Sequence, residues 1–479
     1  MDEIEGLLWA ALTPLEVVWV AIAATYMIMQ RRSSQATLAW IFVLAFTPLV
    51  GLLIYFFFGP RRFERRKRRR QRALHEVERR TRADEAAARG HSEPVRRLIA
   101  LGEAAVGEAG RTRTAEVHVY TDGKSKYAAL EAAIARAEHH VHLEYYIWEP
   151  DTVGTRLRDA LCRRAKDGIE VRVLVDGFGS SKAHDRFWRP LRDAGGDVRR
   201  FNAFSLARWR PRMANFRTHR KIVVVDGRVG FTGGMNVTDV HTEEVSKEAA
   251  WRDSHLELHG PAVKGLQVVF FEDWHYAGGD APDIGPYLPV PGAVAPGGHV
   301  VQVLSSGPDE NLDAIHKTFF SSIAGAGERV FLTTPYFVPD EATFHALTTA
   351  AVRGADVRIL VPLGGDVPLV AAAARSYYPE LLEAGARIFE YGPPVLHAKT
   401  LVVDDTLAQV GTANFDNRSF RLNFEVAVNL FDAGLCDELA KTFERDLENA
   451  REVTKSQVEH ASFPSRLGAS AARLLSPIL

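Results

Sequence analysis

Length, composition and charge limit the class of protein first. The 479 residues are enough for two domains of ordinary size plus an additional segment. The formal net charge is only −1, although charge is distributed unevenly along the chain. The two cysteines, Cys162 and Cys436, fall within predicted helices without metal-ligand spacing. We therefore interpret them as buried thiols and expect neither a disulfide nor a zinc site.

The N-terminal region is predicted to be a membrane anchor. Residues 36–58 are uncharged and long enough to cross a hydrocarbon core of about 30 Å, and residues 6–29 form a second apolar stretch. The acidic start of the chain argues against a cleavable signal peptide. Nine Lys and Arg residues lie between 61 and 72, whereas the loop between the two stretches carries only Arg31 and Arg32. The positive-inside rule therefore predicts a two-helix transmembrane hairpin, with the following residues in the cytoplasm.

Three further segments have more than one interpretation. The basic run at 61–72 adjoins the predicted span, which favours a topology signal or attraction to anionic lipids over nucleic-acid binding. A basic patch at 206–217 fits an anionic headgroup site and a solvated loop equally well. Residues 463–479 fit an amphipathic helix on the membrane and a segment packed on the core equally well.

The most informative feature is a motif that occurs twice. Each copy has the pattern H-x-K-x4-D, followed by an Asn 17 residues after the His. The copies are His219, Lys221, Asp226 and Asn236, and then His397, Lys399, Asp404 and Asn414. Lysine is scarce, with 12 Lys against 47 Arg, so a Lys two residues after a His should seldom arise by chance. A lone His on a strand is usually structural, but two matched sets favour a duplicated active-site half.

Strand geometry predicts the chemistry of this motif. The His and the Lys are two residues apart in short β-branched runs, so both side chains should project into one pocket. The Asp has the opposite parity and falls at a turn, which predicts a supporting role without contact to a reacting group. A neutral imidazole can act as nucleophile or general base near pH 7, and an ammonium binds a phosphate oxygen. Two copies suit a phosphodiester, with one His attacking phosphorus and the other protonating the leaving oxygen.

Three other histidines, His139, His140 and His142, lie on a predicted buried strand. No Cys and no clustered carboxylates lie near them in sequence, so a structural role is favoured over a metal site. We expect no metal and no other cofactor, because His and Lys already supply the nucleophile and the positive charge.

The repeat extends beyond the motif and defines two halves. Residues 139–151 parallel 328–340, and residues 167–177 parallel 353–363. Each half alternates helices with buried strands before a His-Lys hairpin and a closing helix. That order predicts an α/β sandwich with a mixed sheet in each half, and a shared pocket near a pseudo-twofold axis. The predicted boundaries are 1–60 for the hairpin, 61–113 for a basic helical linker, 114–285 and 297–455 for the two domains, and 456–479 for an amphipathic tail.

These motifs carry a resemblance to a known family. The paired H-x-K-x4-D motifs resemble the phospholipase D superfamily. The two N-terminal spans and the stretches FRTHRKIVVVDGRVGFTGGMN, TPYFVPD and GTANFDNRSFRLNFE resemble its bacterial cardiolipin synthase branch. The resemblance covers essentially the whole chain. It implies two tandem phospholipase D-like α/β sandwich domains with pseudo-twofold symmetry, preceded by a two-helix transmembrane hairpin in the bacterial inner membrane, with the catalytic domains on the cytoplasmic side.

The resemblance also implies a reaction, in which a phosphatidyl group moves from one phosphatidylglycerol to another and glycerol is released. By the commonest family assignment His219 is the nucleophile and His397 the acid and base, although the near-symmetric motifs cannot decide between them. Glu425, 28 residues after His397, fits the residue that orients a histidine ring. Asp253, 34 residues after His219, is its equivalent on the first side. The groups implied to hold the phosphate oxygens are Lys221, Lys399, Asn236 and Asn414.

Three alternatives remain. A phospholipase D-type hydrolase, or a transferase that uses another alcohol, differs only in which hydroxyl reaches the phosphoenzyme. A nuclease of the same superfamily would use the basic segments as a nucleic-acid track, but the two predicted spans argue against it. The two intact motifs argue against a catalytically inactive scaffold. We expect the membrane and anionic phospholipids (phosphatidylglycerol and cardiolipin) as partners, and no nucleic acid, while the oligomeric state stays open.

Overall fold

The computed structural model describes most of the chain, in two compact units. The described residues are 17–29, 34–47, 50–52, 55, 91–107, 110–202, 216–243, 249–280, 283–288, 298–309 and 312–476. The smaller unit comprises residues 1–62 with 204–215, and the larger comprises residues 63–203 with 216–479. The basic run at 61–72 and most of the basic patch at 206–217 lie outside the described residues.

The smaller unit contains two helical segments, residues 17–29 and helix α1 (Ser34–Phe46). A small buried cluster joins them, formed by Ala23, Met27, Leu44 and Tyr55. Within the part of the chain that the structure describes, no helix is both long and apolar enough to cross a membrane. Residues 1–16 and 56–60, on which the predicted hairpin also depends, lie outside that part, so the hairpin stays a prediction.

A continuous sheet of 15 strands forms the frame of the larger unit. The strands of the first half are β1 Arg113–Tyr120, β2 His140–Tyr145, β3 Glu170–Asp176, β4 Asp197–Phe201, β5 Ile222–Val225, β6 Val229–Gly233 and β7 His255–His259. The strands of the second half are β8 His299–Ser306, β9 Arg329–Thr333, β10 Phe337–Val338, β11 Asp356–Pro362, β12 Arg387–Tyr391, β13 Thr400–Val403, β14 Leu407–Gly411, β15 Phe415–Asp416, β16 Glu425–Leu430 and β17 Ala450–Glu452. Strands β10 and β15 pair with each other in a separate parallel ribbon.

Helices cover both faces of this sheet. Helix α2 Glu93–Val106 precedes the first half in sequence and packs in the core of the second. The helices of the first half are α3 Gly123–Ala135, α4 Thr152–Lys166, α5 Asp185–Asp193 and α6 Val263–Tyr276. Those of the second half are α7 Ala314–Gly325, α8 Glu341–Val352, α9 Pro368–Arg375, α10 Tyr378–Glu383, α11 Asn417–Arg421, α12 Ala433–Leu447, α13 Lys455–Glu459 and α14 Phe463–Arg473. Helices α6 and α12 share one buried cluster with strands of both halves, which fixes the halves against each other.

The strand order makes the duplication visible. From the centre outwards the first half runs β1-β7-β6-β5-β2-β3-β4, and the second runs β8-β16-β14-β13-β9-β11-β12. Strands β1 and β8 pair antiparallel where the two halves meet, with Arg113 opposite Val301. The predicted duplicated α/β architecture is therefore confirmed, with the pseudo-twofold axis between β1 and β8. Three equivalent strands of each half were not predicted, namely β1, β4 and β7 and their counterparts β8, β12 and β16. The short strands β10, β15 and β17 of the second half were not predicted either.

The repeated sequence segments explain equivalent helix starts. Helices α4 and α8 both begin after a Pro-Asp pair in the sequence. The Asp151 carboxylate accepts a hydrogen bond from the Gly154 N–H at 2.9 Å, and Asp340 accepts one from the Thr343 N–H at 3.0 Å. An Asp at this position satisfies an N–H group that the helix itself leaves unpaired. The same capping residue therefore starts the same helix in both halves.

Candidate active site

The two motif histidines lie where the halves meet. His219 comes three residues before β5 and His397 three residues before β13, and both are buried. The His219 N–H donates to the Phe424 carbonyl at 2.9 Å, and the His397 N–H donates to the Arg252 carbonyl at 2.7 Å. The prediction that His and Lys lie within a strand of their own half is therefore wrong in detail. Each motif begins as an extended segment that pairs with the chain of the other half.

The carboxylates that contact the histidines also cross between the halves. His219 Nδ1 lies 3.0 Å from Glu425 Oε2, and His397 Nδ1 lies 2.6 Å from Asp253 Oδ2. The sequence assigned each carboxylate to the histidine of its own half, and that pairing is wrong. The reason is the backbone pairing, because Glu425 follows Phe424 and Asp253 follows Arg252 on the segments that bridge the halves. Each His therefore depends on both halves for its orientation.

Burial and the neighbouring charges determine the protonation states of His219 and Glu425. Burial lowers the pKa of His219 to about 4, against an opposing effect of Glu425. Burial alone would raise the pKa of Glu425, but His219 and Lys221 outweigh burial and lower that pKa to about 2. An ionised carboxylate beside a neutral imidazole accepts the Nδ1 proton. Nε2 of His219 is then left with a lone pair, which is the form a nucleophile needs.

Further side chains, which the sequence did not single out, hold the carboxylates. The Thr412 hydroxyl donates to Glu425 Oε2 at 2.5 Å, and the Asn423 amide donates to Oε1 at 3.1 Å. The Ser254 N–H donates to Asp253 Oδ1 at 2.7 Å. A Cβ on Gly234 would lie only 2.0 Å from that same oxygen, so a glycine is required there. These contacts fix the orientation of both carboxylates in a buried setting.

The two lysines place positive charge next to the histidines. Lys221 Nζ donates to the His219 carbonyl at 2.7 Å, and Lys399 Nζ lies 3.0 Å from His397 Nδ1. Burial lowers the pKa of Lys221 to about 7, with a further contribution from Lys399. Burial also lowers the pKa of Lys399 to about 8. Two buried ammonium groups that repel each other form a site where an anion such as a phosphate is stabilised.

The two asparagines lie in equivalent backbone settings with different partners. The Asn236 N–H donates to His241 Nε2 at 3.2 Å, and the Asn414 N–H donates to the Ser419 hydroxyl at 3.1 Å. The partner stands five residues after the Asn in both halves, which is a sequence signal that was missed. The Asn236 side-chain oxygen also accepts from the Ile147 N–H at 3.2 Å. Both asparagine side chains are buried.

The motif aspartates lie at turns, as the sequence predicted. Asp226 and Asp404 have φ of 54° and 49°, in the left-handed region that Asp tolerates. The Asp226 carboxylate accepts hydrogen bonds of 2.8 to 2.9 Å from the backbone N–H groups of residues 138–140. The Asp404 carboxylate accepts hydrogen bonds of the same length from the backbone N–H groups of residues 327–329. Each aspartate therefore ties the motif hairpin to the strand beside it and contacts no histidine of the motif in these bonds.

Replacing Asp404 with Ala should lower the free energy of unfolding by about 3 kcal/mol, because three backbone N–H groups lose a charged acceptor and Ala disfavours positive φ. Thermal unfolding of the full-length protein measures this effect. The neighbouring Asp405→Ala is the matched control, since its carboxylate is exposed and pairs with Arg329 at the surface. A loss of stability as small as that of Asp405→Ala would contradict the role assigned to Asp404.

One group of described residues has the geometry of a metal site. His241, Asp253 and His397 each offer a ligand atom, and these atoms lie within 4.8 Å of one another. The Asp253–His397 distance of 2.6 Å is that of a hydrogen bond, which already uses one potential ligand atom on each residue. Lys399 lies 3.0 Å from the same His397 nitrogen, and its charge opposes a divalent cation. These residues therefore fit an acid–base pair better than a metal centre.

Two histidines of strand β2 have structural partners, and both cysteines are free thiols. His140 Nε2 lies 3.0 Å from Gln267 Oε1, and the Gln267 amide lies 3.0 Å from His142 Nδ1. Burial lowers the pKa of His140 to about 3 and that of His142 to about 4, so both rings are neutral members of a buried polar cluster. Cys162 and Cys436 are free and buried, as predicted.

Comparison with known proteins first defines the class. The fold is similar to the crystal structure of phosphatidylserine synthase from Haemophilus influenzae, with a TM-score of 0.60 over 80% of this chain and 100% of that chain. The two sequences are only 15% identical, so this likeness shows the fold alone. A family described as cardiolipin synthase, PLD-like domain, matches residues 130–274 and 319–447. A family described as phospholipase D-nuclease N-terminal matches residues 17–60. The chain is thus a phospholipase D-like protein with two tandem domains.

Full-length relatives define the family within that class. A cardiolipin synthase of Alkalihalophilus pseudofirmus is 38% identical over 97% of this chain and 92% of its own length. A cardiolipin synthase of Geobacillus kaustophilus is 37% identical over 98% of this chain and 94% of its own length. Cardiolipin synthase 1 of Bacillus anthracis is 36% identical over 99% of this chain and 94% of its own length. This chain belongs to the cardiolipin synthase family.

Proposed function

We propose that this chain joins two phosphatidylglycerol molecules into cardiolipin and releases glycerol. Family membership over nearly the whole chain supports phosphatidyl transfer as the reaction type. The observation that carries the proposal is the crossed arrangement of two buried histidine–carboxylate pairs with a buried lysine in contact with each histidine. One nucleophile, one acid–base group and two ammonium groups are the parts that a two-step displacement at phosphorus requires.

The first step forms a phosphatidyl-histidine. Nε2 of His219 attacks phosphorus, and the bond between phosphorus and the glycerol oxygen breaks. His397 donates a proton to that oxygen, so glycerol leaves as a neutral alcohol. Lys221 and Lys399 hold the phosphate oxygens and stabilise the negative charge of the five-coordinate transition state. Asn236 and Asn414 are proposed to assist in this, as the family resemblance implies.

The second step transfers the phosphatidyl group. A hydroxyl of a second phosphatidylglycerol attacks phosphorus while His397 accepts its proton. The bond between phosphorus and His219 breaks, and the free imidazole is restored. Asp253 stabilises the imidazolium form of His397 whenever that ring holds two protons, and Glu425 keeps the Nδ1 proton of His219 in place. The two carboxylates are therefore positioning residues that act through the histidines.

The N-terminal region supports a proposed location for the reaction. The uncharged stretch at 36–58 and the basic run at 61–72 support a hairpin anchor in the inner membrane, with the catalytic domains on the cytoplasmic side. An anchored site receives lipid substrates from the bilayer and limits the access of water. Anionic phospholipids are the proposed partners, and nucleic acid is not among them.

Product analysis tests the proposed reaction. Full-length protein is incubated with phosphatidylglycerol in mixed micelles, and the lipid and water-soluble products are separated. Cardiolipin with an equal amount of glycerol supports the synthase. Phosphatidic acid as the sole lipid product would identify a hydrolase. Cleavage of DNA together with inertness towards lipid would identify a nuclease.

The lysine pKa values predict how the affinity for a phosphodiester anion changes with pH. Glycerophosphoglycerol keeps one negative charge across neutral pH, so any change in its affinity reports on the protein. The ammonium forms of Lys221 and Lys399 bind the anion and are lost as pH rises through about 7 and about 8. The inhibition constant of glycerophosphoglycerol should therefore increase between pH 6 and pH 9, by about tenfold or more if each ammonium contributes about 1.4 kcal/mol. A constant value over this range would contradict the assignment of both lysines to the anion site.

A further inference from the structure

A cavity lies away from the histidine pairs, under the C-terminal helix. Its volume is about 410 Å³, and it lies between the α9–α10 junction, strands β12 and β17, and helices α13 and α14. None of the histidines, lysines or carboxylates of the candidate active site lines it. It is therefore a separate site on the second half of the larger unit.

The charges of this cavity favour an anion. Arg375, Arg451 and Arg466 line it together with a single carboxylate, Glu390. Arg451 donates to Glu390 at 2.8 Å, and the guanidinium of Arg375 lies 3.8 Å from the same carboxylate. The buried Glu390 thus fixes two guanidinium groups but neutralises only one positive charge. Guanidinium groups are well suited to phosphate oxygens because they donate several hydrogen bonds in one plane.

Uncharged polar side chains form a further part of the cavity wall and suit hydroxyl groups. They are Ser376, Gln457, Ser465 and Ser470. A ligand with one phosphodiester charge and a hydroxylated headgroup satisfies both the guanidinium groups and these hydroxyl and amide groups. The volume is large enough for a glycerophosphate headgroup but falls in the lower part of the range of typical ligand sites.

Helix α14 supplies the observation that distinguishes a lipid from a soluble anion. Its outer face carries Phe463, Leu467 and Leu474, which are 74%, 57% and 80% exposed. Leu467 lies four positions after Phe463, and Leu474, directly after the end of the helix, lies seven positions after Leu467. At these spacings the three side chains form one apolar stripe. The opposite face is fixed to the fold, since Ala472 is buried and Arg473 pairs with Glu380 at 2.8 Å. Helix α14 therefore both packs on the core and presents an apolar stripe to its surroundings.

We propose that the cavity under α14 binds the headgroup of an anionic phospholipid while the apolar stripe of α14 lies in the bilayer interface. A helix in that position buries its apolar side chains at the level of the headgroups, and basic residues beside it are attracted to an anionic leaflet. The lipid held there is bound and not converted, because the cavity contains no nucleophile paired with a base. This inference does not rest on the proposed reaction, since it concerns binding outside the histidine pairs.

Counting bound lipids tests the cavity. Full-length protein carrying His219→Ala, which blocks turnover, is titrated with phosphatidylglycerol in neutral detergent, and bound lipids are counted by native mass spectrometry. The double variant Arg375→Gln, Arg466→Gln should retain one phosphatidylglycerol fewer than its parent. Its matched control is Arg189→Gln, Arg192→Gln, which removes two solvent-accessible, ion-paired arginines from α5 and should retain the full number.

A second variant keeps this test decisive if the arginine changes disturb folding. Ser470→Trp fills the cavity and leaves every charge in place, so it should lose the same lipid. Retention of the full number of lipids by both variants would overturn the proposal. Displacement of the retained lipid by an equal concentration of inorganic phosphate would identify a site for soluble anions and would overturn the lipid assignment.

The orientation of α14 is tested with a fluorescent label. The only two cysteines of the chain are buried, so Leu467→Cys supplies a single accessible thiol for an environment-sensitive dye. In vesicles that contain phosphatidylglycerol the dye should shift to the blue and be quenched by lipid-attached spin labels. The control position is Ser456→Cys on α13, where neither change is expected. A dye at 467 that stays as exposed as the dye at 456 would rule out contact between α14 and the bilayer.

Discussion

Replacing His219 with Ala should abolish phosphatidyl transfer and also abolish any covalent lipid–enzyme adduct. The loss should be at least about 10⁴-fold, as expected when a nucleophile is removed. His397→Ala should lose turnover as severely but still accumulate the adduct, because the departing glycerol needs only a proton that water can supply slowly. Phosphatidylglycerol labelled with ³²P and rapid denaturation of the full-length variants measure both quantities.

The two histidine variants are each other's control. Label retained by His397→Ala and absent from His219→Ala assigns the nucleophile to His219. The reverse pattern would transfer that role to His397 and leave the crossed site intact. Full turnover by either variant would contradict the site itself.

Replacing Glu425 with Gln should reduce kcat by about 10³- to 10⁴-fold, the size of effect seen when a carboxylate that fixes a histidine tautomer becomes an amide. The carboxylate of Glu425 accepts the Nδ1 proton of His219, and an amide can instead donate to Nδ1 and move the proton to Nε2. The nucleophilic lone pair is then lost while the shape of the site is retained. The KM for phosphatidylglycerol should change little, because Glu425 acts through His219.

Asp253→Asn should act in the same way on His397. The matched control is Glu257→Gln, which alters a largely buried carboxylate that pairs with His259 at 2.7 Å outside the candidate site. That control should keep its turnover. A Glu425→Gln protein with full kcat would contradict the dependence of His219 on the opposite half.

The sequence predicted the parts of the site more completely than their connections. Both His-Lys pairs and both turn aspartates could be identified from spacing, because strand and turn geometry act over a few residues. The contacts of His219 with Glu425 and of His397 with Asp253 join residues 206 and 144 positions apart. Nothing in local periodicity specifies such a pairing. The backbone bridges next to each histidine determine it, and each bridge joins one half to the other.

The strands and helices were also predicted from the sequence only in part. Strands β2, β3, β5 and β6 were predicted because they are short apolar runs next to clear turns. Strands β1 and β7 were missed because polar residues such as His118 and Glu257 interrupt their apolar pattern. Helix α14 had two open interpretations, core packing or a membrane surface. Ala472 and Phe463 explain why, since one face of the helix is buried and the other is exposed.

The stereochemical course at phosphorus tests whether one site built from both halves transfers the phosphatidyl group in two displacements. Phosphatidylglycerol made chiral at phosphorus with oxygen isotopes is converted by the full-length protein, and the configuration in cardiolipin is determined. Each in-line displacement inverts phosphorus, so a phosphatidyl-histidine intermediate predicts net retention. Net inversion would require direct attack by the second lipid and would contradict a phosphatidyl-histidine intermediate.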